Sequence, residues 1–210
     1  MNFPKIEFVY FDLGNVVVNF DHQMSCHNLA AITELDGATI NSALYESGLQ
    51  DQYELGNLND QEFAFQLNSE LGTSVSTTRL CHAISDIFWL NRPIMPLISQ
   101  VSAAGIPIGI LSNTCHAHWS LILDKWPGIS RLFPSHSCIL SYEVNCKKPQ
   151  PAIYSLAIEK AGIPAEHIFF VDDLAQNVAG AAKTGMQTNR YTSSNDLMKC
   201  LVNRSLKFNL

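Results

Sequence analysis

Four short groups of polar, reactive residues each follow an apolar, β-prone run, and their types suit the handling of a phosphate. Asp12, with Leu13, Gly14 and Asn15 behind it, follows residues 6–11. Ser112, Asn113 and Thr114 follow residues 106–111. Lys147, Lys148 and Pro149 lie beyond residues 137–140, and Asp172 and Asp173 follow residues 167–171. A carboxylate at a strand end, backed by a tight turn, can attack phosphorus and form an aspartyl phosphate. That attack needs the phosphate charge neutralised, as by Mg²⁺ bound through one or two carboxylates with waters and a substrate oxygen completing its shell. Asp12 and Asp173 are the expected carboxylates. Two like charges at about 4 Å repel by roughly 4 kcal/mol at an effective dielectric of 20, so gathering Asp12, Asp172 and Asp173 makes sense mainly around a cation. Asp172 is expected to cap or support rather than to bind the ion. Asn177, four residues after Asp173, is expected on the same helix face, supporting the ion's waters. Ser112 and Thr114 are helix N-cap types whose hydroxyls suit a phosphate oxygen. Lys148 offers a compact positive charge, with Pro149 stiffening the loop behind it.

Residues so far apart in sequence meet only if the elements bearing them are neighbours. Residues 6–11 read as a strand buried on both faces and running into a turn. From about residue 21 to 91 the apolar marks Leu67, Leu71, Leu80, Ile84, Ile87 and Phe88 fall at helix-like intervals, punctuated by Gly37, Gly48 and Gly56. Beyond Pro93 helix and strand alternate: a helix over 96–104, a strand over 106–111, a third run over 137–140, a helix over 151–161 closed by Gly162, a strand over 167–171, a helix to Lys183 closed by Gly185, and a last strand over 187–191. Alternation of this kind predicts an α/β fold, a doubly wound parallel sheet with helices on both faces. In such sheets ligands bind outside the carboxyl ends of the strands, where all four groups sit. The helical stretch then becomes a cap inserted over that crevice. The expected division is a core of residues 1–18 and 92–210 and a cap of residues 19–91.

The gross composition bounds the function. The 210 residues carry a net charge of -6, with 47% hydrophobic and 15% charged positions. Soluble domains average about 25% charged, so the chain is lean in charge but globular, with one good core. Its acidity argues against nucleic acid and anionic membranes, which require basic patches. The six cysteines form no CxxC pair, and the apolar run from Phe8 to Phe20 is broken by Asp12, lacks a basic leader and is too short to span a bilayer. Free thiols and a cytoplasmic location are expected.

FVYFDLGNVVV (8–18), ILSNT (110–114), KKP (147–149) and FFVDDLAQN (169–177) together resemble the four ordered motifs of the haloacid dehalogenase superfamily, over nearly the whole chain. YELGNLNDQEF (53–63) is similar to the cap helix of the branch that holds sugar-1-phosphate phosphatases and the phosphatase domain of soluble epoxide hydrolase. The resemblance implies a phosphatase core with a helical cap and Mg²⁺ as cofactor. It implies Asp12 as nucleophile and metal ligand, Gly14 as a ligand through its carbonyl, Asp173 as the second carboxylate ligand, Ser112 as phosphoryl donor and Lys148 as charge stabiliser. Ser112, Asn113, Lys148, His118 and Glu54 are the expected substrate-binding residues, and a small phosphorylated metabolite the expected partner.

Most phosphatases of this superfamily carry Asp two residues after the nucleophile as general acid and base. Here Gly14 stands there, as in the sugar-1-phosphate branch. The rival readings are a 2-haloacid dehalogenase, a phosphomutase, and a catalytically weak phosphate-binding or scaffolding protein, for which Gly14 is the support. Extra carboxylates do nothing for an anionic haloacid, which counts against the dehalogenase. His116 and His118 follow the second motif without a zinc-site spacing. The turn from Tyr53 to Asn57 is expected to reach over the crevice, and Trp89, Trp119 and Trp126 are expected in the core.

Overall fold

The computed structural model describes residues 3–206. Its strands and helices are β1 (Phe8–Phe11), β2 (Val18–Phe20), α1 (His22–Thr33), α2 (Gly37–Asn41), α3 (Leu49–Glu54), α4 (Asp60–Leu71), α5 (Thr77–Ser85), β3 (Phe88–Leu90), α6 (Met95–Ala103), β4 (Ile108–Ser112), α7 (His116–Lys125), α8 (Gly128–Leu132), β5 (Ile139–Leu140), α9 (Ser141–Val144), α10 (Pro151–Ala161), β6 (Ile168–Asp172), α11 (Ala175–Lys183), β7 (Gln187–Arg190) and α12 (Ser194–Asn203). A π-helical turn, Ser42–Glu46, links α2 to α3.

Five parallel strands form one sheet in the order β5-β4-β1-β6-β7. Side chains alternate across it as the two-residue period requires. Val9, Phe11, Ile108, Ile110, Phe169 and Val171 join one apolar layer, while Phe8, Tyr10, Leu111, Ile168 and Phe170 join the opposite one. Both faces are covered, so the strands read as nearly continuous apolar runs. The doubly wound α/β fold is thus observed, with strand ends displaced by a residue or two from their expected positions. One displacement matters: β6 includes Asp172, which places that carboxylate in the sheet rather than in the loop.

Helices α1 to α5 gather around a separate apolar cluster that includes Leu29, Leu44, Tyr53, Phe63, Leu67, Leu80 and Ile84. Two residues beside or within α7, Cys115 and Ala117, also belong to it, so this unit is docked on the core. Helix α4 begins in a capping box: Asn59 Oδ1 accepts from the Glu62 amide at 3.0 Å and Glu62 Oε2 accepts from the Asn59 amide at 2.9 Å. The expectation of helix throughout 21–91 fails at its end. Phe88, Trp89 and Leu90 pair antiparallel with Phe20, Asn19 and Val18, making a two-stranded ribbon at both crossings between core and helices. Three residues are too few for either period to show, and pairing across seventy positions is invisible to local pattern. Trp89, expected in the core, lies on this ribbon and is 47% exposed. Trp119 is buried and Trp126 half-buried against the core. All six cysteines are free thiols.

Candidate active site

The sheet order delivers the site. β1 lies between β4 and β6, and all three run the same way, so Asp12, Ser112 and Asp172 arrive side by side at one sheet edge. The Asp12 amide continues the ladder by donating to the Val171 carbonyl at 2.8 Å. A cavity of about 230 Å³ opens at this edge and is lined by Asp12, Gly14, Ser112, Asn113, Lys148 and Asp173, with Glu54 and His118 from the expected set also on its wall.

Lys148 is the electrostatic centre. Its Nζ lies 2.8 Å from Asp12 Oδ1 and 2.6 Å from Asp172 Oδ2, with almost no exposure. Burial works to strip its proton, but the two carboxylates outweigh that and hold the ammonium above its usual range. One ammonium cannot balance two buried carboxylates. Asp172 takes the larger share of the compensation: it also accepts from the Leu174 amide at 2.8 Å and from Asn177 Nδ2 at 3.1 Å. Asp12 is left short. Burial above all, with the Asp172 charge added and Lys148 opposing, pushes its carboxyl up to about 7.

The site can take a cation. One carboxylate oxygen from each of Asp12, Asp172 and Asp173 lies within 4.8 Å of the others, the only such acidic, His or Cys group among the described residues. Asp172 is committed to Lys148 and its own loop, as expected of a supporting residue. Asp12 uses Oδ1 for Lys148 and for the Leu13 amide at 2.7 Å, leaving Oδ2 without a hydrogen-bond partner among the described residues. Asp173 is half-buried, and its carboxyl is raised by burial. Asn15 Nδ2 donates to its Oδ2 at 3.2 Å. Asn15 has φ 54, a left-handed turn geometry that Asn tolerates. The sequence showed this residue within the first motif, and its type at a turn was the available signal, but its role as a tether for Asp173 needed the structure.

Several expected roles change. Asn113 spends its amide on the main chain of Lys148: Oδ1 accepts from the Lys148 amide at 2.8 Å and Nδ2 donates to its carbonyl at 3.0 Å. It is a clamp for the lysine rather than a substrate side chain. Asn113→Ala is expected to lower kcat about 10²-fold through a misplaced Lys148, with secondary structure intact; steady-state kinetics beside circular dichroism test it. Ser112 and Thr114 do not cap α7, whose N-cap is Cys115 without a side-chain bond. Ser112 Oγ has only a long 3.3 Å contact to the Asn113 carbonyl and faces the cavity. Asn177 serves Asp172 rather than Asp173, because α11 starts two residues beyond Asp173. Tyr53 does not reach over the crevice. It is 1% exposed, stacks on Phe63 at 4.3 Å and bonds Asp60 at 2.5 Å. His116 stays outside the cavity, its Nδ1 2.9 Å from Asp60. His118 is buried against Phe88 at 5.1 Å, and burial pushes its pKa down to about 4, so its ring is neutral at pH 7. Gly14 does not have a positive φ; what crowds it is Phe20, whose Cε1 would lie 2.7 Å from a Cβ there. Phe20, His22, Phe88 and Leu174 also line the cavity; Leu174 lies within the fourth motif, and no motif pointed to the other three.

Residues 6–185 match the family model for haloacid dehalogenase-like hydrolases. The chain belongs to that family. Among curated relatives, drimenol cyclase drtB of Aspergillus calidoustus is 23% identical over 91% of this chain and 35% of its own length. An (S)-2-haloacid dehalogenase of Pseudomonas putida is 32% identical over 42% of this chain and 37% of its own. The chain thus spans little more than a third of these two relatives. D-ribitol-5-phosphate phosphatase of Bacteroides thetaiotaomicron is 23% identical over 87% of this chain and 90% of its own. The HAD family enzyme BT-2542 of the same organism, solved with magnesium and inorganic phosphate, superposes with a TM-score of 0.79 at 25% identity, covering 90% of this chain and 95% of that one. The chain therefore has the Rossmann-like fold of that family. No helix among the described residues is long and apolar enough to cross a membrane.

Proposed function

We propose that this hydrolase is a Mg²⁺-dependent phosphatase acting on a small phosphate monoester through phosphorylated Asp12. The observation that carries the reading is the charge arrangement at the strand ends: two carboxylates with free capacity, Asp12 and Asp173, beside a fully buried Lys148 and the hydroxyl of Ser112. Asp12, Asp173 and the Gly14 carbonyl would hold Mg²⁺, which supplies positive charge against the phosphoryl oxygens. Asp12 Oδ2 attacks phosphorus as the ester P–O bond breaks and the leaving oxygen departs, taking its proton from water, while Oδ1 stays tied to Lys148 and the Leu13 amide, fixing the plane of the carboxylate. Lys148 and Ser112 Oγ stabilise the oxygens of the transferring group. Water then hydrolyses the aspartyl phosphate, freeing inorganic phosphate and Asp12. Helices α1 to α5 act as a cap over the cavity, whose size suits a small metabolite and not a nucleic acid. The phosphatase and the magnesium–phosphate complex among the similar proteins support this reading.

The dehalogenase relative favours a second reading, in which Asp12 attacks carbon and releases halide. The cavity argues against it, because Asp173 contributes nothing to binding a haloacid and Lys148 is already paired twice. Removing divalent ions with a chelator is expected to lower aryl phosphate hydrolysis at least 100-fold, and Mg²⁺ to restore it, while 2-chloropropionate releases no chloride. Full phosphatase activity in chelator, or chloride release, overturns the reading.

A further inference from the structure

We infer that Glu54 makes the cavity selective for phosphate esters whose leaving group is hydroxylated and carries no second negative charge, an inference that rests on the phosphatase reading. The cavity wall carries two sets of residues of different character. One set is Asp12, Ser112, Lys148 and Asp173, which would face the phosphoryl group; the rest of the wall is built largely from Phe20, His22, Glu54, Phe88 and His118. Among the described residues, Lys148 is the only Lys or Arg on the wall, and Asp12 and Asp172 hold it. His118 is neutral, and burial lowers the pKa of His22 as well. Among the described residues, the one acid left to face the leaving group is therefore Glu54.

Glu54 is held in place from several directions. Its carbonyl accepts from Ser141 Oγ at 2.6 Å, and that same oxygen accepts from the Thr114 amide at 2.9 Å, joining the end of α3 to the Ser112–Thr114 loop. Asn145 Nδ2 donates to the Leu55 carbonyl at 3.0 Å. Gly56 packs so tightly on Tyr142 that a Cβ there would lie 2.0 Å from its carbonyl oxygen. The carboxylate itself accepts only from Gln50 Nε2, at 3.2 Å through Oε1. Its Oε2 has no hydrogen-bond partner among the described residues, and Lys147, the nearby cation, pairs with Asp51 at 2.9 Å instead. Burial raises the Glu54 pKa. A hydroxyl on the leaving group donates to such an oxygen and relieves it, and the rings of Phe20 and Phe88, 5.9 Å apart, offer apolar walls to the carbon skeleton. A carboxylate or second phosphate would lose its water, meet no cation and face a like charge, which is strongly disfavoured.

The test compares two substrates of nearly equal size, glycerol 3-phosphate and 3-phosphoglycerate, with Mg²⁺, on the full chain and on Glu54→Gln and Glu54→Lys. An aryl phosphate serves as the control for phosphatase activity. The expected wild-type preference in kcat/KM for the alcohol is about 10²-fold or more, since like-charge juxtaposition acts against the anion. Glu54→Gln is expected to shrink that ratio at least tenfold, mainly through KM of the carboxylated ester, and Glu54→Lys to bring it to unity or reverse it. A wild-type ratio near one overturns the inference without needing either variant to fold. So does a ratio that both folded variants leave unchanged. Aryl phosphate hydrolysed while the ratio fails leaves the phosphatase reading standing; no hydrolysis of any ester overturns that reading and this inference with it.

Discussion

Asp12→Asn is expected to abolish phosphatase activity, by about 10⁴-fold or more as nucleophile removal does elsewhere, and to leave a folded protein that is more stable than the original in metal-free buffer at pH 8. Both effects follow from one placement. Asp12 sits at the end of the central strand, nearly buried, competing with Asp172 for one ammonium. Its carboxyl moves from 3.8 to about 7, so the folded metal-free protein holds this proton more tightly than the unfolded chain does. The sign is then determined: the stabilisation is complete below the unfolded value and is lost as pH rises through 7. Asn carries no charge, so the gap in Tm between variant and original should be smallest at pH 4, already open at pH 5 and widest at pH 8. Mg²⁺ should close it, since a ligand that binds the folded state alone stabilises it, and the ionised carboxylate is the form that binds. Thermal unfolding at three pH values, with and without Mg²⁺, measures this. A gap independent of pH would mean that Asp12 is not the under-compensated charge.

Phosphates of acidic alcohols should be cleaved far faster than those of ordinary primary alcohols, because no side chain at position 14 can protonate a departing alkoxide. A positioned general acid contributes about 10²–10⁴-fold, and that is the expected penalty across a series from aryl to alkyl esters. Gly14→Asp alone should fail to flatten the series. The obstacle is the ring of Phe20, with two atoms at 2.7 and 3.3 Å from the new Cβ. Phe20 belongs to the ribbon, with His22 at 4.8 Å and Phe88 at 5.9 Å, so it cannot swing aside without disturbing them. Gly14→Asp combined with Phe20→Ala provides the space and should recover the alkyl esters. Should the original protein show a flat series, another wall residue donates the proton. His22→Ala and Glu54→Gln would then show which one, by turning the series steep. His116 is excluded by its place beside Asp60, outside the cavity.

The α/β class, the strands that bear the site and the gathering of Asp12, Ser112, Lys148 and Asp173 at one edge are legible in the order of residues alone. Those features are legible because a strand buried on both faces must be an apolar run, and because polar residues ending several such runs are brought together by parallel alignment alone. Whatever depends on partners distant in the chain was set by packing. The pairing of Val18–Phe20 with Phe88–Leu90 came from contacts across seventy positions, which no local period encodes. Tyr53 and Glu54 are adjacent on α3, yet one is locked into the helical cluster while the other lines the cavity; at the end of a six-residue helix the pattern leaves orientation open, and docking against α7 and α9 settles it. Asn113 was legible as polar and at a strand end, but its amide bonds a backbone 35 residues away. Gly14 was legible as the absence of an acid. That Phe20 fills the space beside it follows only from where the ribbon crosses the cavity mouth, because side-chain volume is contested in three dimensions and not along the chain.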